Sequence, residues 1–192
     1  MKRLLPFTRV AIVPPLILLS DLEEWLKHAL RFGANSVYLR FKDANVYKKA
    51  IDTIGAKKWY LYDFPITWIL SAEYSELPFW ASALHFKSNT NTNRVASAFQ
   101  PHILYRGKSC HNCRDLKEAE DLGYDYAFLS PVFSTSTHPE SRPIGLQKFK
   151  EWASQVRIPI FALGGVSLDK EAELLSAGAY GIAGINCFKT GL

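Results

Sequence analysis

The stretch AFLSPVFSTSTHPESRPIGL, residues 127–146, concentrates residue types that do chemistry. An apolar run, Ala127-Phe128-Leu129, breaks at Ser130-Pro131. Four hydroxyl residues follow, Ser134-Thr135-Ser136-Thr137, and then His138. Hydroxyls donate to an oxyanion, and an imidazole gives and takes protons near neutral pH. Such a string reads either as a plain surface loop or as the wall of an anion pocket.

Two glycine-rich stretches bear on the choice. In ALGGVSLDK an apolar run ends at Gly164-Gly165 and a helix start follows. In GIAGINC an apolar run ends at Gly184, followed by Ile185 and Asn186. Glycine lets backbone N–H groups approach an anion with no Cβ in the way, and a helix N-terminus adds further donors. Arg40 and Lys42 stand two residues apart, so a strand would place both cations on one face, suited to a diphosphate or a carboxylate. A salt bridge to Asp63 or Asp125 is the plainer reading of that pair. Cys110-His111-Asn112-Cys113 holds one C-x-x-C; with Cys187 it could form a zinc site, but without a second pair it reads first as loop. His85 has the surroundings of a satisfied core histidine, while His28 and His102 read as surface positions.

These groups need elements to position them. Short apolar runs at 16–19, 36–40, 59–62, 83–86, 103–105, 126–129, 158–163 and 181–185 alternate with amphipathic helical stretches near 21–32, 44–55, 114–122, 146–156 and 168–177. Asp21 is the expected cap of the first helix. The segment 66–81 reads as partly helical. Eight strands alternating with helices predict an α/β fold, a (β/α)8 TIM barrel, in which function sits at the C-terminal ends of the strands. An open doubly wound sheet is disfavoured because no G-x-G-x-x-G follows the first strand. Only seven residues follow Ile185, so the last helix is expected to be abbreviated. Residues 1–15 or a partner subunit would then cover part of the barrel. In barrels of this kind the loops after strands seven and eight commonly bind phosphate, which favours the anion reading of Gly164, Gly165 and Gly184.

The chain has 192 residues, 48% of them hydrophobic, which suits one domain, 1–192, with a substantial core. Its net charge of +5 is spread through helical segments and not clustered, and the aromatics lie in apolar periodic runs, so nucleic acid is not an expected partner. No stretch of about 20 apolar residues is present, so no membrane span is expected. Three cysteines give no disulfide framework, and Pro6, Arg9, Pro14 and Pro15 interrupt the apolar N-terminus, so the chain reads as cytoplasmic.

Taken in order, SVYLRFKD, GKSCH, GYDYAFLSPVFSTSTH and IPIFALGGVSLDKEAELLSAGAYGIAGI resemble the thiamin phosphate synthase/TenI family. The resemblance is strong from about 103 to 186 and recognisable from 16 to 63. It implies a barrel acting on a small phosphorylated heterocycle, with a homo-oligomer allowed. The synthase branch joins hydroxymethylpyrimidine diphosphate to thiazole phosphate with Mg2+. The TenI branch isomerises a thiazole phosphate carboxylate by proton transfer without metal. Arg40 and Lys42 match diphosphate-handling cations, Ser109 the family serine after strand five, Thr135 and Thr137 the paired threonines, and Gly165, Ile185 and Asn186 the thiazole-phosphate pocket. Asp63 matches one Mg2+ ligand, placed after strand three. The second metal aspartate is replaced by the Lys87, Asn89, Thr90 region, and His138 stands where the synthase has lysine. The tautomerase histidine is absent at Ser130 or Pro131, which leaves His111 or His138 as general base.

The pattern therefore implies a TenI-like protein with no cofactor expected. The alternatives are a Mg2+-dependent synthase that recruits other donors such as Asn89 or Asn91, and a non-catalytic protein that binds thiazole phosphate or thiamin phosphate.

Overall fold

The computed structural model describes residues 4–61, 66–90, 100–135 and 140–188. Eight parallel strands run β1 Arg9–Ile12, β2 Ser36–Leu39, β3 Thr67–Ser71, β4 Ala83–Phe86, β5 Tyr105–Cys110, β6 Tyr126–Leu129, β7 Ile160–Leu163 and β8 Gly181–Gly184. Each pairs with the next, and β8 returns to β1, so the sheet closes into a barrel. The helices are α1 Leu22–Arg31, α2 Ala44–Ala56, α3 Cys113–Asp121, α4 Leu146–Ala153 and α5 Glu171–Ser176.

Strand alternation divides the core in two. Val10, Ile12, Tyr38, Ile69, Ala83, Tyr126, Phe128, Phe161 and Ala183 fill the barrel interior. The intervening residues, among them Ala11, Val37, Leu39, Trp68, Leu70, Leu84 and Leu129, pack outward against the helices. In α1 the apolar face is Leu22, Leu26 and Ala29, at helical spacing. In α2 it is Tyr47, Ala50, Ile51 and Ile54, and Asp43 caps that helix by accepting from the Asn45 and Val46 N–H groups.

Five expectations are corrected. The first strand is Arg9–Ile12, not 16–19. Pro14 and Pro15 lack the N–H that would continue the ladder, and the apolar run beyond them is loop, with Leu16 and Leu18 exposed. Residues 4–8 do not coat the barrel's side; they close its N-terminal end. There Phe7 is fully buried against Tyr105, Tyr126 and Phe161, and the Tyr180 hydroxyl bonds Leu5 N and O. The third strand is Thr67–Ser71, whereas the aromatic run 59–61 makes a short 3-10 turn. The fifth strand starts two residues later than expected and extends to Cys110. Asp21 makes no side-chain cap on α1, because its backbone already lies in the helical region.

No helix joins β3 to β4. Residues 72–82 form a strap held to α2 by aromatic and polar contacts. Tyr74 stacks on Tyr47 at 3.9 Å, the Tyr74 hydroxyl donates to Phe41 O at 3.0 Å, and the Tyr47 hydroxyl donates to Glu76 O at 2.9 Å. After β8, residues 185–188 make a turn.

Candidate functional site

A cavity of about 780 Å³ opens at the C-terminal ends of the strands. Its lining follows from strand geometry. A residue facing inward near a strand end is followed, two positions on, by another on the same side. Tyr38 and Arg40, His85 and Lys87, Ser109 and His111, Phe128 and Ser130, Leu163 and Gly165, and Ala183 and Ile185 all border the cavity in such pairs. The first member of each pair makes the floor and the second the rim.

The floor is aromatic around one buried histidine. His85 is 1% exposed, stacks on Phe128 at 4.2 Å, and lies 5.1 Å from the Tyr38 ring. Its Nε2 is 2.9 Å from Ser109 Oγ, and its buried Nδ1 has no hydrogen-bond partner among the described residues. Burial, aided by the Arg40 cation, lowers its pKa to about 3, so the ring is neutral at working pH. An orphaned buried N–H is costlier than an orphaned lone pair. The favoured tautomer therefore carries its proton on Nε2 and donates it to Ser109. Ser109 keeps its own proton for a ligand. The expectation of a satisfied core histidine is thus half right: His85 is core, but unsatisfied and at the cavity. His28 and His102 are half-buried, each with a buried Nε2 that has no partner among the described residues.

The β7–β8 side of the rim is backbone. Gly164 and Gly165 have φ of +89° and +64°, and a Cβ on Gly165 would overlap Ser134 O and Phe133. Only glycine fits there. Among the described residues the Gly165, Ile185 and Asn186 N–H groups make no hydrogen bond, so they are available to a ligand in the cavity they border. Lys170 stiffens this loop, with Nζ 4.3 Å over the Phe133 ring and 3.5 Å from Gly165 O. With only six residues, α5 adds little as an anion-binding helix end.

His111 sits where β5 passes into α3. Its N–H donates to Asp115 Oδ2 at 2.8 Å, and Asn112 caps the helix by accepting from Asp115 N. Its Nδ1 lies 2.9 Å from the Ser130 carbonyl oxygen. A carbonyl only accepts, so that bond places the proton on Nδ1 and leaves the Nε2 lone pair free.

The structure sorts the expected site residues. Arg40, Ser109, His111, Thr135, Gly164, Gly165, Gly184, Ile185 and Asn186 meet at one cavity. Lys42 does not: β2 ends at Leu39, alternation stops after Arg40, Phe41 turns into the core and Lys42 is exposed. Asp63, Asn91, Thr137 and His138 lie outside the described residues. With β3 at 67–71, Asp63 precedes the third strand and does not follow it. Asp125 accepts from Arg106 N at 2.7 Å, at the far end of the barrel from Arg40. The three cysteines are free, and burial pushes the Cys110 and Cys187 thiols up to about 12. Sequence reasoning missed Tyr38, Phe128, Ser141 and Lys170. The period-two signal from Arg40, His111 and Ser130 back into their strands would have found the first two.

The family resemblance raises the question of Mg2+, which takes oxygen ligands, usually one or two carboxylates. Among the described residues no Asp or Glu lines the cavity, and no group of three or more His, Cys, Asp or Glu could hold a metal ion. The described donors do not fit Mg2+. They offer instead two formal cations, Arg40 and Lys87, with hydroxyls, amides and glycine N–H groups.

Fold and cavity together define the class: a (β/α)8 barrel whose strand ends surround a cavity lined by cations, hydroxyls and glycine-rich backbone. The model of the family described as thiamine monophosphate synthase matches residues 10–188, and the chain belongs to that family. It is 35% identical to a protein of Aquifex aeolicus named "Putative thiamine-phosphate synthase 2", over 86% of this chain and 88% of that one. It is 29% identical to the thiamine-phosphate synthase of Pyrococcus abyssi, over 82% of this chain and 76% of that one. In structure it is similar to thiamine phosphate pyrophosphorylase of Pyrococcus furiosus, with TM-score 0.68 and 23% identity over 92% of this chain and 84% of that one, a likeness of fold. Among the described residues no helix is long and apolar enough to cross a membrane.

Proposed function

We propose that this protein is a TenI-type enzyme of thiamin biosynthesis. In this reading it binds a thiazole phosphate in the barrel cavity and moves a proton between ring positions. The observation that carries it is the lining of that cavity: N–H groups at Gly165, Ile185 and Asn186 that make no hydrogen bond among the described residues, cations at Arg40 and Lys87, an available His111 Nε2, and no carboxylate among the described lining residues.

The phosphate takes the glycine-rich β7–β8 end, where backbone donors need no side-chain rearrangement. The heterocycle lies over the Tyr38, His85 and Phe128 floor, with the Ser109 hydroxyl as a donor beneath it. His111 Nε2 accepts the proton from one ring position and returns it to another. Substrate and product are then isomers, and nothing is oxidised or reduced. The Ser130 carbonyl stabilises the charged imidazole between the two transfers by holding Nδ1–H. No step requires a metal.

The names of the relatives favour a second reading, a Mg2+-dependent thiamin phosphate synthase. A cavity of about 780 Å³ also has room for a second heterocycle. Deuterium uptake by the thiazole phosphate carboxylate in D2O, followed by NMR in EDTA, tests the first reading. The expected result is exchange well above the uncatalysed rate, reduced about 10²- to 10⁴-fold by His111→Asn, which keeps bulk and polarity but removes the base. Exchange at the uncatalysed rate, or unchanged by the substitution, contradicts it.

A further inference from the structure

We infer that Lys87 takes the place of a metal at the β2–β4 rim and, with Arg40, forms a metal-independent subsite for a second anionic group, with Glu73 as its resident counterion. The inference rests on the proposed reading that the β7–β8 end takes a phosphate, and it adds that the ligand is anionic at both ends.

Register places these residues. Leu39 pairs with Leu70 and Ser71 with His85, so Arg40, Ser71 and His85 run side by side around the barrel. The ladder continues through Ala72 N to His85 O at 2.9 Å, which sets Glu73 beside Lys87 one layer higher. Lys87 Nζ lies 2.7 Å from Glu73 Oε1. Lys87 borders the cavity and Glu73 does not. The lysine is therefore drawn toward the strap by a carboxylate behind the wall. Ser88 and Asn89 follow it along the rim and add uncharged donors.

The chemistry of this corner is that of an anion clamp. A divalent cation would need carboxylates facing the cavity, whereas the only carboxylate in contact with Lys87 among the described residues is outside the lining and already paired. Both partners of the pair are almost half exposed, at 46% and 41%. Ion pairs in that setting are weak and exchange readily. A carboxylate or phosphoryl group entering the cavity accepts from Lys87 and from the Arg40 guanidinium together, in a less solvated place than Glu73 offers. Lys87 then swings from Glu73 to the ligand. The class of ligand that spans both poles is a heterocycle carrying a phosphate at one end and a carboxylate or second phosphoryl group at the other.

The test is calorimetric titration of the full-length protein with inorganic phosphate in EDTA, repeated with Mg2+. Lys87→Met, Glu73→Gln and Gly165→Ala are compared with the wild type. The expected result is two phosphates per chain without metal. Lys87→Met weakens one of them by about tenfold or more and spares the other. Glu73→Gln tightens that same one by about two- to fivefold, the worth of a half-exposed ion pair. Gly165→Ala weakens the other. Two outcomes overturn the inference: binding that Lys87→Met and Glu73→Gln leave unchanged, and a second phosphate that appears only with Mg2+. Insensitivity to Gly165→Ala alone would instead overturn the phosphate assignment at β7–β8.

Discussion

His85 has its two ring nitrogens in different situations. Nε2 meets Ser109, while Nδ1 is buried without a partner among the described residues. Tyr38, Tyr126 and Phe128 crowd the ring, and Arg40 is the cation near it. Its pKa falls to about 3, below the ordinary histidine value of 6.5. The sign follows from proton counting. Below pH 6.5 the unfolded chain binds a proton here that the folded chain refuses, so stability rises with pH through that window. This proton linkage costs nothing above about pH 6.5 and destabilises the fold increasingly as pH falls toward 3, at up to about 1.4 kcal/mol per pH unit. Urea unfolding of His85→Phe and wild type at pH 7.5 and 4.5 measures this. The variant is expected to lose less stability on acidification; equal losses would contradict the burial argument. The role of His85 was not legible in the sequence, because an inward histidine and an outward one look alike until register is known. Gly165 was legible, since a Gly-Gly pair after an apolar run marks a backbone that must come close to something.

At the scale of elements, the alternation of short apolar runs with amphipathic helices was enough to read a closed parallel barrel, and strands β4 and β6 stand where they were expected. The misplaced strands share one physical cause. A parallel strand in a barrel is buried on both faces, so its sequence is a plain apolar run without alternation, and a loop such as 16–19 can be more apolar than the true strand beside it. Trp59-Tyr60-Leu61 misled in the same way, because its aromatics pack from a 3-10 turn. The error mattered for function. With β3 at Thr67–Ser71 and not 59–62, Asp63 comes before the strand in sequence, where the metal-ligand reading had set it after the strand. The strap that follows β3 carries Glu73, and its anchoring is testable. Tyr74→Phe removes the hydroxyl bond to Phe41 O and is expected to cost about 0.5–1.5 kcal/mol in urea unfolding. Tyr74→Ala also removes the stack on Tyr47 and is expected to cost at least about 0.5–1.5 kcal/mol more. Equal costs for the two would show that the stack contributes nothing.

Among the described residues the barrel is closed at one end and open at the other. Phe7 and the Leu5–Tyr180 bonds seal the N-terminal end, and Arg9 ties β1 to the start of α5 through two contacts with Glu171, at 2.7 and 2.6 Å. The open end holds two poles, glycine N–H groups at β7–β8 and the Arg40–Lys87 corner at β2–β4. Neither pole presents a carboxylate among the described lining residues. The proposed metal-free isomerisation rests on that distribution of charge, since metal-assisted joining of two substrates calls for carboxylates at the mouth. The measurement that bears on it most directly is incubation of the purified protein with hydroxymethylpyrimidine diphosphate and thiazole phosphate carboxylate, with Mg2+ and with EDTA, reading products by mass spectrometry and NMR. The expected result is the isomerised thiazole phosphate in both conditions and no thiamin phosphate in either. Thiamin phosphate that forms with Mg2+ and disappears with EDTA would contradict the metal-free reading and make the protein a synthase.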